Sequence, residues 1–272
     1  MGSSLSEHDI REFRDRVWDF YLQNGRNFPW REDCRPYYVL VSEIMLQQTQ
    51  APRVVSKFRE FIHTFPDMDA LANAAQADVL RCWQGLGYNR RARYLHQAAR
   101  QLIERYGGSV PTDVALLERL PGVGAATARS LAVFAYNQPH VFIETNIRSV
   151  YLHKFFTGQE QVSDRALYPF VEATLDVNNP RLWYWALMDY GVYLKKTTSN
   201  PSRRSAHYIQ QARFVGSRRQ LRGQIVRLLG GGSYEYDQLL AQLQDDRSRA
   251  VINDLLCEGL IERRGDYLQL SE

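Results

Sequence analysis

One carboxylate in an otherwise apolar stretch is the first candidate for chemistry. Residues 38–50 (YVLVSEIMLQQTQ) have the pattern of a buried helix, and Glu43 is their only charged residue. Taking a lone carboxylate out of water is costly, and burial tends to raise its pKa. Glu43 is therefore a candidate general acid. The structural alternative is a glutamate that caps the end of a neighbouring helix.

A second carboxylate follows another apolar stretch. Residues 141–143 (VFI) lead directly into Glu144, Thr145 and Asn146, where a helix is predicted to begin. Glu144 is therefore a second carboxylate placed next to apolar residues, with Asn146 close behind it.

Two glycine-rich turns are candidate binding elements. Thr112 is expected to cap the short helix that leads into the first turn, and Ser6 is expected to cap the first helix of the chain. In residues 120–124 (LPGVG), the flanking glycines allow a tight turn and a close approach to a ligand. The amides that follow open a helix, where a phosphate binds well. This pattern indicates a helix-hairpin-helix that grips a DNA backbone, or else an ordinary turn between core helices. In residues 85–88 (GLGY), Tyr88 precedes a basic helix and is either a core residue or a wedge for a base stack.

Charge and composition narrow the class of protein. The net charge of +4 is mild, but residues 195–222 hold eight cations and no acid, which fits a solvated linker or a DNA-facing segment. The 272 residues leave room for about two lobes. Three scattered cysteines predict a reducing compartment without a disulfide framework or metal cluster. Neither an 18-residue apolar run nor a signal peptide is evident, so a cytoplasmic, nucleoid-associated protein without a membrane is expected.

The last part of the chain predicts a separate small domain. Residues 221–229, 236–243 and 247–258 have the periodicity of three helices, and residues 260–270 predict a hairpin. This order is typical of a winged helix, whose third helix usually enters a DNA groove. A winged helix used for protein contacts is the alternative.

Five motifs together resemble a known family, the helix-hairpin-helix DNA glycosylases and most closely the MutY-type adenine glycosylases. They are Pro29-Trp30-Arg31, Ser42-Glu43-Ile44-Met45-Leu46-Gln47-Gln48-Thr49-Gln50, Gly85-Leu86-Gly87-Tyr88, Leu120-Pro121-Gly122-Val123-Gly124 and Met188-Asp189-Tyr190-Gly191. The resemblance implies a mainly α fold with two helical lobes and a cleft. A six-helix barrel would span residues 28–137. The other lobe would combine residues 1–27 with 138–215, and the winged helix would follow at 216–272.

The resemblance also implies roles for individual residues. One carboxyl group would protonate the leaving base, and the other would stabilise the sugar cation. Glu43 would be the proton donor, acting at N7 of a flipped adenine, and Glu144 would be the ionised partner with Asn146 near it. Gln48 and Tyr88 would insert into the duplex at the lesion. Trp30 and Arg31 would contribute to the base pocket. The expected DNA contacts are Gln48, Tyr88, Arg90, Arg91, Gly122, Val123, Gly124, Ala125, Lys195, Lys196, Arg203 and Arg204.

Four departures from the family pattern qualify this resemblance. Glu144 stands where the family has an aspartate, and misplacing the carboxylate by about a bond length can cost about 100-fold in rate. Residues 125–127 hold no lysine for a Schiff base, so strand cleavage by that route is not expected. No cysteine follows Gly191 in residues 192–214, so no iron–sulfur cluster or other cofactor is expected. A winged helix replaces the family's 8-oxoguanine-checking domain, so the substrate could differ.

The sequence thus predicts a monomeric, monofunctional glycosylase that acts on double-stranded DNA with a mispaired or damaged base. An adenine-like purine is the favoured leaving base. Extruding that base from the duplex costs a few kcal/mol and is easiest at a mispair. The alternatives are excision of uracil or thymine from mismatches, and a non-catalytic protein that binds particular DNA structures.

Overall fold

The computed structural model of the chain describes residues 5–210 and 213–272, which are mainly helical. Residues 1–4 and 211–212 fall in the predicted lobe formed by both ends of the glycosylase-like region, and they lie outside the described residues. Within the described ranges, every helix is too short or too polar to cross a membrane.

The described residues form fifteen α-helices, one 3₁₀ helix and three strands. The first nine helices are α1 (Glu7–Asn24), α2 (Pro29–Glu32), α3 (Pro36–Leu46), α4 (Ala51–Thr64), α5 (Met68–Asn73), α6 (Gln76–Trp83), α7 (Arg90–Tyr106), α8 (Val114–Glu118) and α9 (Ala125–Tyr136). Then come α10 (Thr145–Phe155), α11 (Asp164–Thr174), α12 (Pro180–Thr197) and a 3₁₀ helix (Pro201–Arg204). The last part holds α13 (Arg218–Gly230), β1 (Tyr234–Glu235), α14 (Tyr236–Leu243), α15 (Ser248–Cys257), β2 (Ile261–Arg264) and β3 (Tyr267–Leu270).

One compact unit is built around α1, α10 and α12. It comprises the described residues up to Pro36, together with Thr112–Glu118 and Gly124–Gln210. The rings of Phe13, Tyr151 and Trp183 form its centre, with Phe13 5.3 Å from Tyr151 and 6.0 Å from Trp183. Ser6 caps α1 through a capping box, as the sequence predicts, so the helix begins with its first amides satisfied.

The other compact unit joins α3–α7 to the last part of the chain. It comprises Tyr37–Pro111, Arg119–Val123 and the described residues from Arg213 onward. The fully buried Trp83 packs edge-on against Phe61 with ring centroids 6.0 Å apart. Strands β1, β3 and β2 form an antiparallel sheet in that order, beside α13, α14 and α15. The predicted winged helix is therefore present, with a short first strand that the sequence pattern did not indicate.

These units group the chain differently from the predicted domains, whose boundaries stay predictions. Helix α9 packs on α8 and α12, so it belongs to the first unit. Helix α13 and strand β3 pack on α6, so the winged helix belongs to the same unit as α3–α7. Packing between elements distant in sequence decides this grouping, and periodicity does not report such packing.

Candidate active site

Glu144 closes the N-terminus of α10 with its own side chain. Its carboxylate accepts hydrogen bonds from the backbone amides of Asn146 at 2.8 Å and Ile147 at 3.0 Å. The Asn146 side-chain amide donates to the other carboxylate oxygen at 3.2 Å. The partial positive charge of a helix N-terminus attracts a negatively charged side chain placed there. The longer glutamate thus folds back onto the helix start, where a shorter aspartate would also act as a cap.

Lys195 completes this arrangement from α12. Its ammonium donates to Oδ1 of Asn146 at 2.9 Å, so Asn146 is held by Glu144 on one side and Lys195 on the other. Burial lowers the pKa of Lys195, and the charge of Glu144 partly offsets this. A Cβ added at Gly191 would lie 2.2 Å from the backbone oxygen of Asn146, so only glycine permits this helix approach. Sequence reasoning placed Lys195 among the DNA contacts and missed its contact with Asn146.

Glu43 lies on α3, in the unit that contains the winged helix. Its helix neighbours Ser42, Ile44 and Met45 are buried, whereas Glu43 itself is half-buried. It is the only charged residue of α3. The structure therefore keeps the predicted proton donor in a largely apolar helix with access for a reactant.

Gln48 and Tyr88 lie on two turns of that same unit in strained backbone conformations. Their φ angles are 55° and 49°, in the left-handed region. A bulky residue with positive φ is uncommon and costs about 1–3 kcal/mol, so it persists where the surroundings fix it. Strain of this kind concentrates at functional sites, and both residues are the ones expected to enter the duplex.

Arg91 fixes both turns at once. One guanidinium nitrogen donates to the carbonyls of Ile44, Met45 and Gln47 at 2.7–2.9 Å, and the other donates to Gly87 at 3.1 Å. The side chain is buried, and burial lowers its pKa to about 10, so it stays charged at neutral pH. Its donors satisfy buried carbonyls at the end of α3, so Arg91 holds this turn, and its predicted contact with DNA stays a prediction.

The hairpin turn keeps its predicted form with two corrections. Gly122 has φ 78°, and a Cβ there would lie 2.8 Å from Cβ of Tyr94. Gly124 and Ala125 are exposed at the start of α9, and Gly124 makes no side-chain cap there. The buried Val123 uses its amide within the turn, donating to Leu120 at 3.1 Å, so that amide is not a phosphate donor.

The second correction concerns the cap of the helix before the turn. The Asp113 carboxylate, rather than the predicted Thr112, accepts from the amides of Ala115 and Leu116 at 2.7 and 3.1 Å. A carboxylate on Asp113 reaches the first-turn amides more directly, because the helix begins one residue later than predicted.

The predicted cations divide into exposed and inward-facing groups. Lys196 and Arg203 are exposed, and Arg90 is exposed while paired with Glu258 at 2.6 Å. Arg204 instead donates to the carbonyls of Leu152, at 2.7 Å, and Phe156. Arg204 therefore helps to hold the first unit together, and its predicted contact with DNA stays a prediction.

The segment after Gly191 does not fit an iron–sulfur cluster. Residues 192–214 contain no thiol to ligate iron. The Val162 amide donates to the Arg204 carbonyl at 3.0 Å, and Ala206 donates back to Val162 at 2.9 Å, which forms a parallel bridge. Within residues 5–210 and 213–272, no group of three or more His, Cys, Asp or Glu side chains could hold a metal ion.

The predicted base-pocket residues Trp30 and Arg31 lie in the first unit, where Trp30 is buried and Arg31 is half-buried. Trp30 stacks on Phe28 with ring centroids 5.0 Å apart. Arg31 donates through two nitrogens to the carboxylate of Asp189, each at 2.9 Å. Burial would raise the pKa of Asp189, but the hydrogen bonds and charges of Arg31 and Arg26 outweigh it and lower that pKa. The ion pair with Asp189 occupies much of the Arg31 guanidinium. The role of Trp30 and Arg31 in a base pocket therefore stays a prediction.

Similarity to known proteins agrees with this arrangement. Residues 41–168 match the sequence profile of HhH-GPD superfamily base excision DNA repair proteins. An adenine DNA glycosylase of Mycolicibacterium smegmatis is 32% identical over 271 residues, which cover 91% of this chain and 92% of the relative. Adenine DNA glycosylases of Mycobacterium tuberculosis are 45% identical over 132 residues, 48% of this chain. That match spans only 43% of the M. tuberculosis proteins' length.

Solved structures show the same fold. A thermostable thymine-DNA glycosylase superposes with a TM-score of 0.61 at 25% identity, covering 67% of this chain and 85% of its own. An endonuclease III–DNA complex gives a TM-score of 0.54 at 20% identity, covering 70% of this chain and 86% of its own. The chain therefore belongs to the HhH-GPD superfamily of base excision DNA repair proteins, with adenine DNA glycosylases among its relatives.

Proposed function

We propose that this protein is a monofunctional DNA glycosylase that removes a mispaired adenine or a similar purine from double-stranded DNA. The observation that carries the proposal is the carboxylate of Glu144 at the start of α10, bound by two backbone amides and by Asn146. The main departure from the family pattern is a glutamate in place of an aspartate, and these hydrogen bonds still hold the longer carboxylate in one orientation. The names of the sequence relatives favour adenine as the base.

The proposed reaction breaks the N-glycosidic bond of an extruded nucleotide. Glu43 donates its proton to the leaving base, so that the base departs neutral and the sugar becomes an oxocarbenium-like cation. The ionised Glu144 stabilises that cation and accepts a proton from the water that adds to C1′. Asn146 and Lys195 act as positioning residues, because they keep the Glu144 carboxylate and its neighbouring amide in one orientation.

Thymine is the second candidate base. The protein that superposes on this chain with a TM-score of 0.61 is a thymine-DNA glycosylase, so a protein of this fold is named for a pyrimidine. A pyrimidine has no N7 to protonate, so it would make less use of the proton on Glu43. The two candidates therefore differ in how strongly excision depends on Glu43.

A panel of duplexes tests the proposal. The wild-type protein is incubated with duplexes carrying A opposite 8-oxoguanine, A opposite G, T opposite G, U opposite G, and hypoxanthine, and then treated with hot alkali. We expect alkali-dependent breaks that are strongest at a mispaired A. Breaks strongest at T or U would select the pyrimidine candidate, and breaks before alkali would contradict a monofunctional reaction. Salt-sensitive binding without any breaks would leave only a DNA-binding protein.

The preferred duplex then tests Glu43. We expect Glu43→Gln to lower single-turnover excision by about 1,000-fold, since the amide cannot supply a proton. Glu104→Gln is the matched control, because Glu104 is an exposed glutamate in the same unit. Equal excision by Glu43→Gln and the control would refute the acid role.

A further inference from the structure

The winged helix is fastened to α6 and α7 at its ends. Gln76 donates to the carbonyl of Gly259 at 2.8 Å, and Arg81 donates to the carbonyl of Gly230 at 3.0 Å. Arg93 of α7 also donates to the carbonyl of Glu258. These contacts satisfy carbonyls at the ends of α13 and α15, so they fix the winged helix within its unit.

The third helix of this winged helix is engaged internally. On α15, Asp254 pairs with Arg218, and Glu258 pairs with both Arg90 and Arg222. Winged helices usually present this helix to a DNA groove, where negative side chains facing phosphates would be repelled. The two acids instead bind arginines of α13 and α7. This use of α15 favours a DNA-binding role for another part of the domain.

Helix α13 contacts Tyr88 directly. Arg219 donates to the hydroxyl of Tyr88 at 2.5 Å, and its guanidinium carbon lies 5.4 Å from the centre of the Tyr88 ring. The guanidinium of Arg91 lies at the same distance from that ring. Two cations thus hold the strained Tyr88. Arg91 comes from α7, the helix that follows its turn, and Arg219 comes from the winged helix.

A cavity of about 400 Å³ opens beside this contact. Its lining includes Gln48, Tyr88, Arg90, Arg219, Arg222 and Glu258. That volume lies within the range of about 300–1,000 Å³ typical of small-ligand sites. Aromatic rings stack with bases, and guanidinium groups bind phosphates or the O6 and N7 edge of a purine. The lining therefore fits a single nucleotide.

We propose that the winged helix completes the DNA site, with Arg219 positioning Tyr88 and the adjoining cavity receiving a nucleotide of the strand opposite the excised base. This inference rests on the proposed function. Residues that fill the gap left by an extruded base contact the base that has lost its partner. Gln48 and Tyr88 are the residues expected in that gap, and they line the cavity with Arg219 and Arg222.

The test measures binding, so it does not depend on base excision. The probe is a duplex with a tetrahydrofuran abasic site opposite 2-aminopurine, and the reference is the same duplex without the abasic site. Binding is followed by 2-aminopurine fluorescence. We expect the wild-type protein to bind the probe more tightly than the reference and to quench its fluorescence. Loss of excision on the earlier panel with this behaviour intact would refute the glycosylase proposal alone.

Two substitutions probe the coupling between the helix and the wedge. We expect Arg219→Gln and Tyr88→Phe each to reduce the preference for the probe by about tenfold, since a charged hydrogen bond is lost. The double variant should be no worse than either single variant, because both break one interaction. Additive losses would overturn the positioning role of Arg219.

Matched controls separate this role from general charge. Arg227→Gln removes an exposed arginine from the same helix and should leave the preference unchanged. Equal effects of Arg227→Gln and Arg219→Gln would overturn the proposal. Arg219→Lys keeps the charge but loses the planar guanidinium group. It replaces Arg219→Gln in the test if that variant fails to fold. We expect it to lose most of the preference, and a wild-type preference in this variant would count against the proposal.

Discussion

Glu144 lies at the start of a regular helix, whereas Gln48 and Tyr88 lie on turns with positive φ. The first site is held by contacts between near neighbours in sequence, joined by Lys195 from one other helix. The two turns are held by the long side chain of Arg91, which binds carbonyls more than 40 residues away. An unstrained helix start suits Glu144, whose carboxylate must keep its charge and orientation. Strained turns suit Gln48 and Tyr88, whose side chains are expected to enter DNA.

The largest expected effect tests the charge at the relaxed site. Glu144→Gln keeps an oxygen able to accept from the helix amides but removes the negative charge. We expect single-turnover excision to fall by about 1,000-fold, because the sugar cation loses its partner. Melting temperature should change little, since the cap remains.

The conservative variant at this position sharpens the comparison. Asp also caps a helix well, so we expect Glu144→Asp to retain excision within about tenfold of wild type. A loss as large as that of Glu144→Gln would show that the length of the side chain, and not its charge at the helix start, determines the rate.

The next effect concerns the strained turns. Arg91→Met removes donors from several buried carbonyls, and we expect the free energy of unfolding to fall by about 3 kcal/mol in urea titrations. Arg105→Met on the same helix is the control, because Arg105 is exposed. Equal stability of the two variants would mean that Arg91 does not hold the turns.

Lys195 gives a smaller effect with a pH signature. Its pKa is lowered by burial, so its ammonium loses the proton at a pH below the usual range for lysine. We expect excision to decline as pH rises through that pKa, because the neutral amine supports neither Asn146 nor the charge of Glu144. Lys195→Met should lower excision by about tenfold and abolish this alkaline decline. The exposed neighbour variant Lys196→Met should keep it.

The smallest effect separates strain from function. Gln48 and Gln161 both have φ 55°, so replacement by glycine relieves strain at either position. We expect each glycine variant to gain about 0.5–1 kcal/mol of stability in the same titrations. Only Gln48→Gly should lose the preference for the abasic duplex. An equal loss in Gln161→Gly would disconnect the strained turn from DNA binding.

Local signals allowed much of the fold to be predicted from sequence. Ser6, the glycines of the hairpin turn and the periodicity of residues 236–243 all act over a few positions, and the structure has the elements they indicate. Helix α3 ends at Leu46 rather than near Gln50, because Gln48 adopts positive φ. Propensity does not report that strain.

The candidate site was predicted less completely, for a physical reason. Residue type suggested that Arg91 and Arg204 contact DNA, but it did not indicate that their planar forks satisfy carbonyls at helix ends. Arg219 stood within a basic run, and nothing in the sequence linked it to Tyr88. A cation is equally suited to a phosphate and to a carbonyl, so only the packing decides which one it binds.

Val162 and Ser205 form a parallel bridge, and the neighbouring Arg204 donates to the carbonyl of Leu152. Peptide and guanidinium groups thus join distant stretches of the first unit. All of these groups belong to the polypeptide itself, so this part of the first unit can form as soon as the chain folds. We therefore expect its maturation to be indifferent to cellular iron supply and to oxidants that dismantle inorganic clusters. Repair by such a protein would continue under conditions that deplete cluster-dependent enzymes.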